Sequence, residues 1–224
     1  MSKRSTTSLF RRSARVLPVS LLLSLGVMAQ PATHPDLNAR LLLAGRGSDI
    51  AAVQQLLAQG ANPDSRNRLG KTVLLMAAEK GDWTLAQLLL KDKADVNIAS
   101  LSKVTPLMAA SFAGNATLVK ALLDGGAKID SLDRVAKPAV VYAAGEGHVA
   151  VLELLLDAGV DINAAYHNGL TALMWSAGNG HADAVAFLVK RGANKSARDN
   201  RGKTALDLAS ESKADRVIAE LDKP

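Results

Sequence analysis

"GKTVLLMAAEKGD", Gly70 to Asp82, sets the reading of this chain because it returns. Its echoes are "KVTPLMAASFAGN" from Lys103, "GLTALMWSAGNGH" from Gly169 and "GKTALDLASESKA" from Gly202, with "AKPAVVYAAGEGH" from Ala136 as a looser copy. Thr72, Thr105, Thr171 and Thr204 share one phase of 33 residues, and Pro138 takes the fourth slot. Gly81, Gly114, Gly147 and Gly180 hold a second column in the same period. Leu-rich runs follow in register ("LAQLLL", "LVKALL", "VLELLL", "AVAFLV"), each ending in a turn such as "KADVN", "GVDIN" or "GANKS". A fixed period of this length marks a unit that cannot bury its apolar face alone and does so by stacking on its neighbours.

Each unit reads as two short helices joined at the Gly column. The Thr hydroxyl is placed to cap the first helix, and the Gly permits the turn between helices. Leu74, Leu107, Val140, Leu173 and Leu206 are expected to form one buried column. The pairs Ala77-Ala78, Ala110-Ser111, Ala143-Ala144 and Ser176-Ala177 are small enough for first helices to approach closely. Composition agrees: hydrophobic residues make up 48% of the 224-residue chain and aromatics only 3%. A core of Ala, Leu and Val suits helix packing better than a β-sandwich.

The pattern resembles the ankyrin repeat, G-x-T-P-L-H-x-A-A-x-x-G-H followed by a Leu-rich helix and G-A-D-x-N. The resemblance implies an all-α repeat solenoid: helix-turn-helix units with a hairpin-like loop, stacked in a curved array over 36–224. Six units follow, at 36–67, 68–100, 101–133, 134–166, 167–199 and 200–224. The first shows clear register only in its second helix ("DIAAVQQLLAQGANPD"), and the last turns polar; both are expected as caps. The chain departs from the family where Leu75, Met108, Val141, Met174 and Asp207 replace the His. This puts the hydrogen bonds between repeats in doubt. Ala136 for Gly and Pro138 for Thr make the fourth unit the most irregular, and local distortion is expected there.

Most of the formal charge of +6 resides at the N-terminus. Residues 1–29 carry five basic residues and no acid, which leaves 22 basic against 21 acidic residues elsewhere. A nucleic-acid reading based on net charge fails at this point. "FRRSARVLPVSLLLSLGVMAQ" (10–30) has the basic, apolar and small-residue parts of a signal peptide. It is expected to span 1–29, with cleavage between Ala29 and Gln30 and a short segment at 30–35. Its apolar run is shorter than the ~20 residues of a membrane span, so no stable membrane insertion is expected after cleavage. The sequence has no Cys, so disulfides, thiol chemistry and lipid tethering at the cut are excluded. The expected location is the periplasm.

No catalytic constellation appears, and neither cofactor nor metal is expected. His148 and His181 fill equivalent places in adjacent units, whose helices lie ~10 Å apart. A single metal holds its nitrogen ligands at ~2 Å, so the pair reads as structural. Asp157 and Asp161 flank a turn Gly and read as solvated. The chain has neither a nucleophile elbow nor a phosphate loop. The expectation is a non-enzyme.

What remains is a surface. The resemblance implies that a partner protein docks on the concave side, formed by loop tips and the exposed face of the first helices. The tips give Arg66, Arg68, Lys71, Leu101, Ser102, Arg134, Lys137, His167, Asn168, Asn200, Arg201 and Lys203. The helix face gives Glu79, Lys80, Phe112, Glu146 and Asn179. Met76, Tyr142 and Trp175 share one column beside it. Phe112, Tyr142 and Trp175 are the first anchor candidates, since aromatics dominate interface energetics. Core packing is the competing reading for Trp175, and Trp83 reads as packing on the other side. The basic tilt of the tips fits an acidic partner and equally the solvated rim of a solenoid. Exported bacterial ankyrin proteins similar to this one imply support of a periplasmic catalase and peroxide resistance. Others resemble immunity proteins that neutralise a delivered toxin, and a secreted effector binding host proteins is a further reading. A monomer is expected.

Overall fold

The computed structural model describes residues 35–223; the expected signal peptide, its Ala29–Gln30 cleavage site and the first part of the 30–35 segment lie outside them. Among the described residues the helices form six consecutive pairs, with no strand. The pairs are α1 (Pro35–Gly47) with α2 (Ile50–Ala58), α3 (Val73–Lys80) with α4 (Trp83–Lys91), and α5 (Pro106–Phe112) with α6 (Ala116–Asp124). They continue as α7 (Ala139–Gly145) with α8 (Val149–Asp157), α9 (Ala172–Gly178) with α10 (Ala182–Lys190), and α11 (Ala205–Glu211) with α12 (Asp215–Leu221). The first unit is therefore a complete pair.

The columns read from the sequence do the expected work. The hydroxyls of Thr72, Thr105, Thr171 and Thr204 accept from the backbone N–H three residues on. Gly81, Gly114, Gly147 and Gly180 have φ between 67 and 79°, the left-handed region where a Cβ is costly. In the two end units Ser48 and Lys213 adopt this conformation without glycine, at φ 56 and 55°.

First helices pack on one another in succession and more intimately than second helices do. This difference curves the stack with the first helices inside. The contact is close because the facing residues are small: Ala77, Ala78, Ala110, Ser111, Ala143, Ala144, Ser176 and Ala177 are buried. Gly45 is the extreme case, since a Cβ there would lie 2.3 Å from Val73 Cγ1. Leu74, Leu107, Val140 and Leu173 are fully buried. Leu206 departs from the expectation: it is only half-buried, because α11 belongs to the last of the described repeats and only α9 packs on it from within the row of first helices.

The missing His does not leave the repeats unjoined. Asn115 Nδ2 donates to the Gly81 carbonyl at 3.1 Å. His148 Nε2 and His181 Nε2 lie 2.9 and 2.8 Å from the carbonyls of Phe112 and Gly145, so each ring donates across a repeat boundary. The two histidines are structural, as read, but act as bridges between repeats rather than as caps of their own helices. The Ser176 hydroxyl adds a bond to the Ala144 carbonyl at 3.0 Å.

The fourth unit is less distorted than expected. Its loop closes with an Asp133 N–H to Lys137 carbonyl bond of 3.2 Å, as the Asp199 N–H to Lys203 carbonyl bond of 2.9 Å closes the sixth. Asp133 Oδ1 accepts the N–H groups of Val135 and Lys137 at 2.8 and 2.9 Å. These bonds hold Ala136 at φ 57°. The local loss is the cap: Pro138 starts α7 with no side-chain hydrogen bond.

Candidate partner-binding face

Corresponding positions on the concave side differ from repeat to repeat, and the differences define a site. The residues in phase with Lys71 and Glu79 face each other across the groove between loop and first helix. In the second repeat they are ionic, with Lys71 Nζ 2.7 Å from Glu79 Oε1. In the sixth repeat Lys203 and Glu211 pair the same way. In the third repeat the same places hold Val104 and Phe112, and in the fourth Lys137 and Gly145. The middle of the groove thus has no ion pair between loop and helix: it is apolar in the third repeat and carries an unpaired Lys137 in the fourth, and ion pairs bracket it.

The next column, Met76, Ala109, Tyr142, Trp175 and Leu208, holds one small residue among large ones. Ala109 leaves a cleft of about 300 Å³ between its larger neighbours, lined by Glu79, Val104, Met108, Ala109, Phe112 and Tyr142. Gly145 leaves a second, of about 160 Å³, between Tyr142, Trp175, Lys137, Glu146 and Asn179. Phe112 and Tyr142 form the wall between them, with ring centroids 6.2 Å apart at 85°. This edge-to-face arrangement is favourable for aromatic pairs. Phe112 is 53% exposed, and Tyr142 and Trp175 are half-buried.

Tyr142 is held from behind. Its hydroxyl donates to Asp133 Oδ2 at 2.6 Å, so one carboxylate shapes the loop and orients the ring. Burial first, then this hydrogen bond and the carboxylate's charge, push the phenol well above its ordinary value of 10.0. Lys137 Nζ lies 4.3 Å from the centroid of the Trp175 ring. The indole Nε1 is buried with no acceptor.

The tip residues divide into braces and free groups. Arg66 donates to the carbonyls of Gly70 and Ala99 at 3.0 and 2.6 Å. Lys80 reaches the Arg46 carbonyl, and Arg201 chelates Asp199 Oδ2 at 3.0 and 2.8 Å. Asn179 Nδ2 donates to the Trp175 carbonyl at 2.9 Å. Arg68, Ser102, Arg134, Glu146, His167, Asn168 and Asn200 are exposed. The sequence reading missed Leu69, Leu132 and Val135, which are 60, 47 and 53% exposed beside Leu101. A signal existed, since these apolar residues sit at tip positions where other repeats place Ser, Arg or Asn. Trp83 lies away from this face, half-buried at the start of α4, in an outer groove of about 740 Å³ that also includes Ile50 and Leu88.

Among the described residues no group of carboxylates and histidines could hold a metal. No helix among them is long and apolar enough to cross a membrane.

No curated protein matches the sequence. Among solved structures, the ankyrin repeat protein EF0377 is similar, with 27% identity and a TM-score of 0.75 over 83% of this chain and 98% of that one. The family model for ankyrin repeats (three copies) matches residues 41–133 and 140–221. The interruption falls on the loop that contains Ala136 and Pro138, where the repeat loses both its Gly and its Thr. With most of its length matched and every helix pair in register, the chain belongs to the ankyrin repeat family.

Proposed function

We propose that this chain is an exported, non-enzymatic binding module that holds a periplasmic protein on its concave face. Ankyrin repeats are interaction scaffolds. The observation that carries the reading here is the aromatic wall of Phe112 and Tyr142 between two clefts, bracketed by the Lys71–Glu79 and Lys203–Glu211 pairs. Exposed aromatics in a bounded groove are the usual energetic anchors of interfaces. The face is preformed, so little ordering cost accompanies binding. Export rests on the N-terminal sequence pattern.

The test is affinity capture from periplasmic extract with the full chain, followed by titration of the captured protein. Phe112→Ala is expected to weaken binding by tenfold or more, on the order of 2 kcal/mol for an anchor residue. Unchanged affinity in Phe112→Ala, Tyr142→Phe and Trp175→Ala would remove the concave face as the site. Catalase support, toxin immunity and an effector role differ in the partner held, so the captured protein separates them. Export is tested by fractionation and N-terminal sequencing. A periplasmic chain beginning at Gln30 is expected, and a cytoplasmic chain retaining its leader would overturn export.

A further inference from the structure

The charge of the concave face is more one-sided than the sequence suggests. Asp133 and Asp199 are the acids of the loop row, and both are buried. Their Oδ1 atoms accept loop backbone N–H groups, while Tyr142 and Arg201 take the Oδ2 atoms. Neither carboxylate is presented to solvent. At the two ends of the groove, Lys71 and Lys203 are neutralised by Glu79 and Glu211.

Of the remaining loop-tip cations, Arg66 and Arg198 are engaged by backbone carbonyls of Gly70, Ala99 and Gly202, whereas Arg68, Lys103, Arg134 and Lys137 have neither a carboxylate nor a carbonyl partner among the described residues. Lys137 rests on an indole face, which holds an ammonium without neutralising it. These cations alternate with the exposed Leu69, Leu101, Leu132 and Val135. A solvated rim has no need of four exposed large apolar side chains between its charges. The cleft at Ala109, at about 300 Å³, is at the low end of ligand sites and suits one leucine or phenylalanine side chain. On the helix side Glu79 and Glu211 are held by Lys71 and Lys203, with Glu79 at the edge of the Ala109 cleft, and the unpaired exposed acid is Glu146, which faces the second cleft.

We propose that the occupant of this face is an acidic segment of another protein, with Asp or Glu residues on the central tips and one apolar side chain in the Ala109 cleft. This rests on the reading of the concave face as the binding surface. Complementary charge would speed encounter and fix register, and the apolar anchor would set the lifetime of the complex.

The full chain is presented with a displayed library of random peptides, and an enriched peptide is synthesised and titrated. The expected peptides carry Asp and Glu around a Leu or Phe. Their affinity should fall about tenfold in Arg134→Glu/Lys137→Glu, about threefold in the milder Arg134→Gln/Lys137→Gln, and also with added salt. It should fall about tenfold in Phe112→Ala as well. Circular dichroism on each variant identifies any that fails to fold, and the milder pair then decides. Neutral or basic enriched peptides, or an affinity indifferent to both charge variants, overturn the acidic segment. If that affinity still falls in Phe112→Ala, the concave reading survives; if it does not, both readings fall. A library that yields no binder also overturns the acidic segment, and the periplasmic capture then judges the face independently.

Discussion

Gly81 and Gly114 occupy the same place in adjacent repeats, at φ 67 and 70°, but their neighbours differ. A Cβ on Gly81 would meet only Asn115 Nδ2, at 3.9 Å, whereas one on Gly114 would lie 2.6 Å from the His148 ring. Gly81→Ala is expected to cost about 1 kcal/mol, the backbone term alone. Gly114→Ala should cost clearly more, because the ring must leave the Phe112 carbonyl. Urea melts of both variants check this, and His148→Ala should bring the two costs together. Tyr142 offers a second residue-level test. Its raised phenol favours the protonated form in the fold, so the associated stability is present at neutral pH and lost as pH rises past 10.0. Tyr142→Phe should show a smaller fall in stability between pH 8 and pH 11 than the parent, measured by the same melts. The sequence exposed Phe112, Tyr142 and Trp175 as candidates because large aromatics are rare here. Leu69, Leu132 and Val135 were legible only by comparing columns across repeats, since an isolated Leu or Val reads as core when taken alone. Arg66 and Arg201, read from the sequence as contact residues, also brace the loops through their bonds to Ala99 and Asp199, a role that a one-dimensional pattern does not show.

The first helices carry most of the regularity, and here the sequence was most legible. Thr72, Thr105, Thr171 and Thr204 marked helix starts because a cap requires a particular chemistry at one position. Pro138 marked a defect, but the sequence could not show that Asp133 would keep the loop in shape. The defect is then confined to the missing cap. Pro138→Thr should raise stability by about 1 kcal/mol, read as a melting temperature a few degrees higher. The last pair, α11 and α12, has a different weakness. Backbone bonding from Thr204, and then its hydroxyl, holds Asp207 below its ordinary value of 3.8. The Lys203 N–H does the same for Asp199, with Arg201 contributing less. A depressed carboxylate contributes stability above its ordinary range that is lost as pH falls through it. Amide protection in α11 and α12, corrected for the intrinsic exchange rate, is therefore expected to fall before that of α5 and α7 as pH drops through the carboxylate range.

At the scale of the molecule, stability in a stack is a sum of units and the interfaces between them, so the boundaries decide where it yields. Period and columns made the stack legible. The uneven joining of repeats was not, because it depends on backbone atoms that every residue possesses. The loop tips are stitched in sequence: the Leu101 N–H donates to the Leu69 carbonyl at 2.9 Å, Arg134 to Ser102 at 3.2 Å, and Asn200 to Asn168 at 2.9 Å. The equivalent stitch from His167 to Val135 is not formed. His167 begins a short 3-10 turn, with Asn168 at φ 61°. Its amide should exchange with solvent much faster than those of Leu101, Arg134 and Asn200, which exchange followed by mass spectrometry can resolve.

That open stitch gives the array uneven stiffness. Between the fourth and fifth repeats the loop rows can part while the bond from His181 to the Gly145 carbonyl stays closed as a pivot. Bending is therefore expected to be easier at the loop side of this boundary than at the three stitched ones, although Ser176, Asn194 and Arg191 still join the two repeats on the helix and turn side. The cleft between Tyr142 and Trp175 spans the same boundary, so its width is expected to vary with that bending, whereas the neighbouring cleft at Ala109 lies between stitched loops and is expected to keep its gauge.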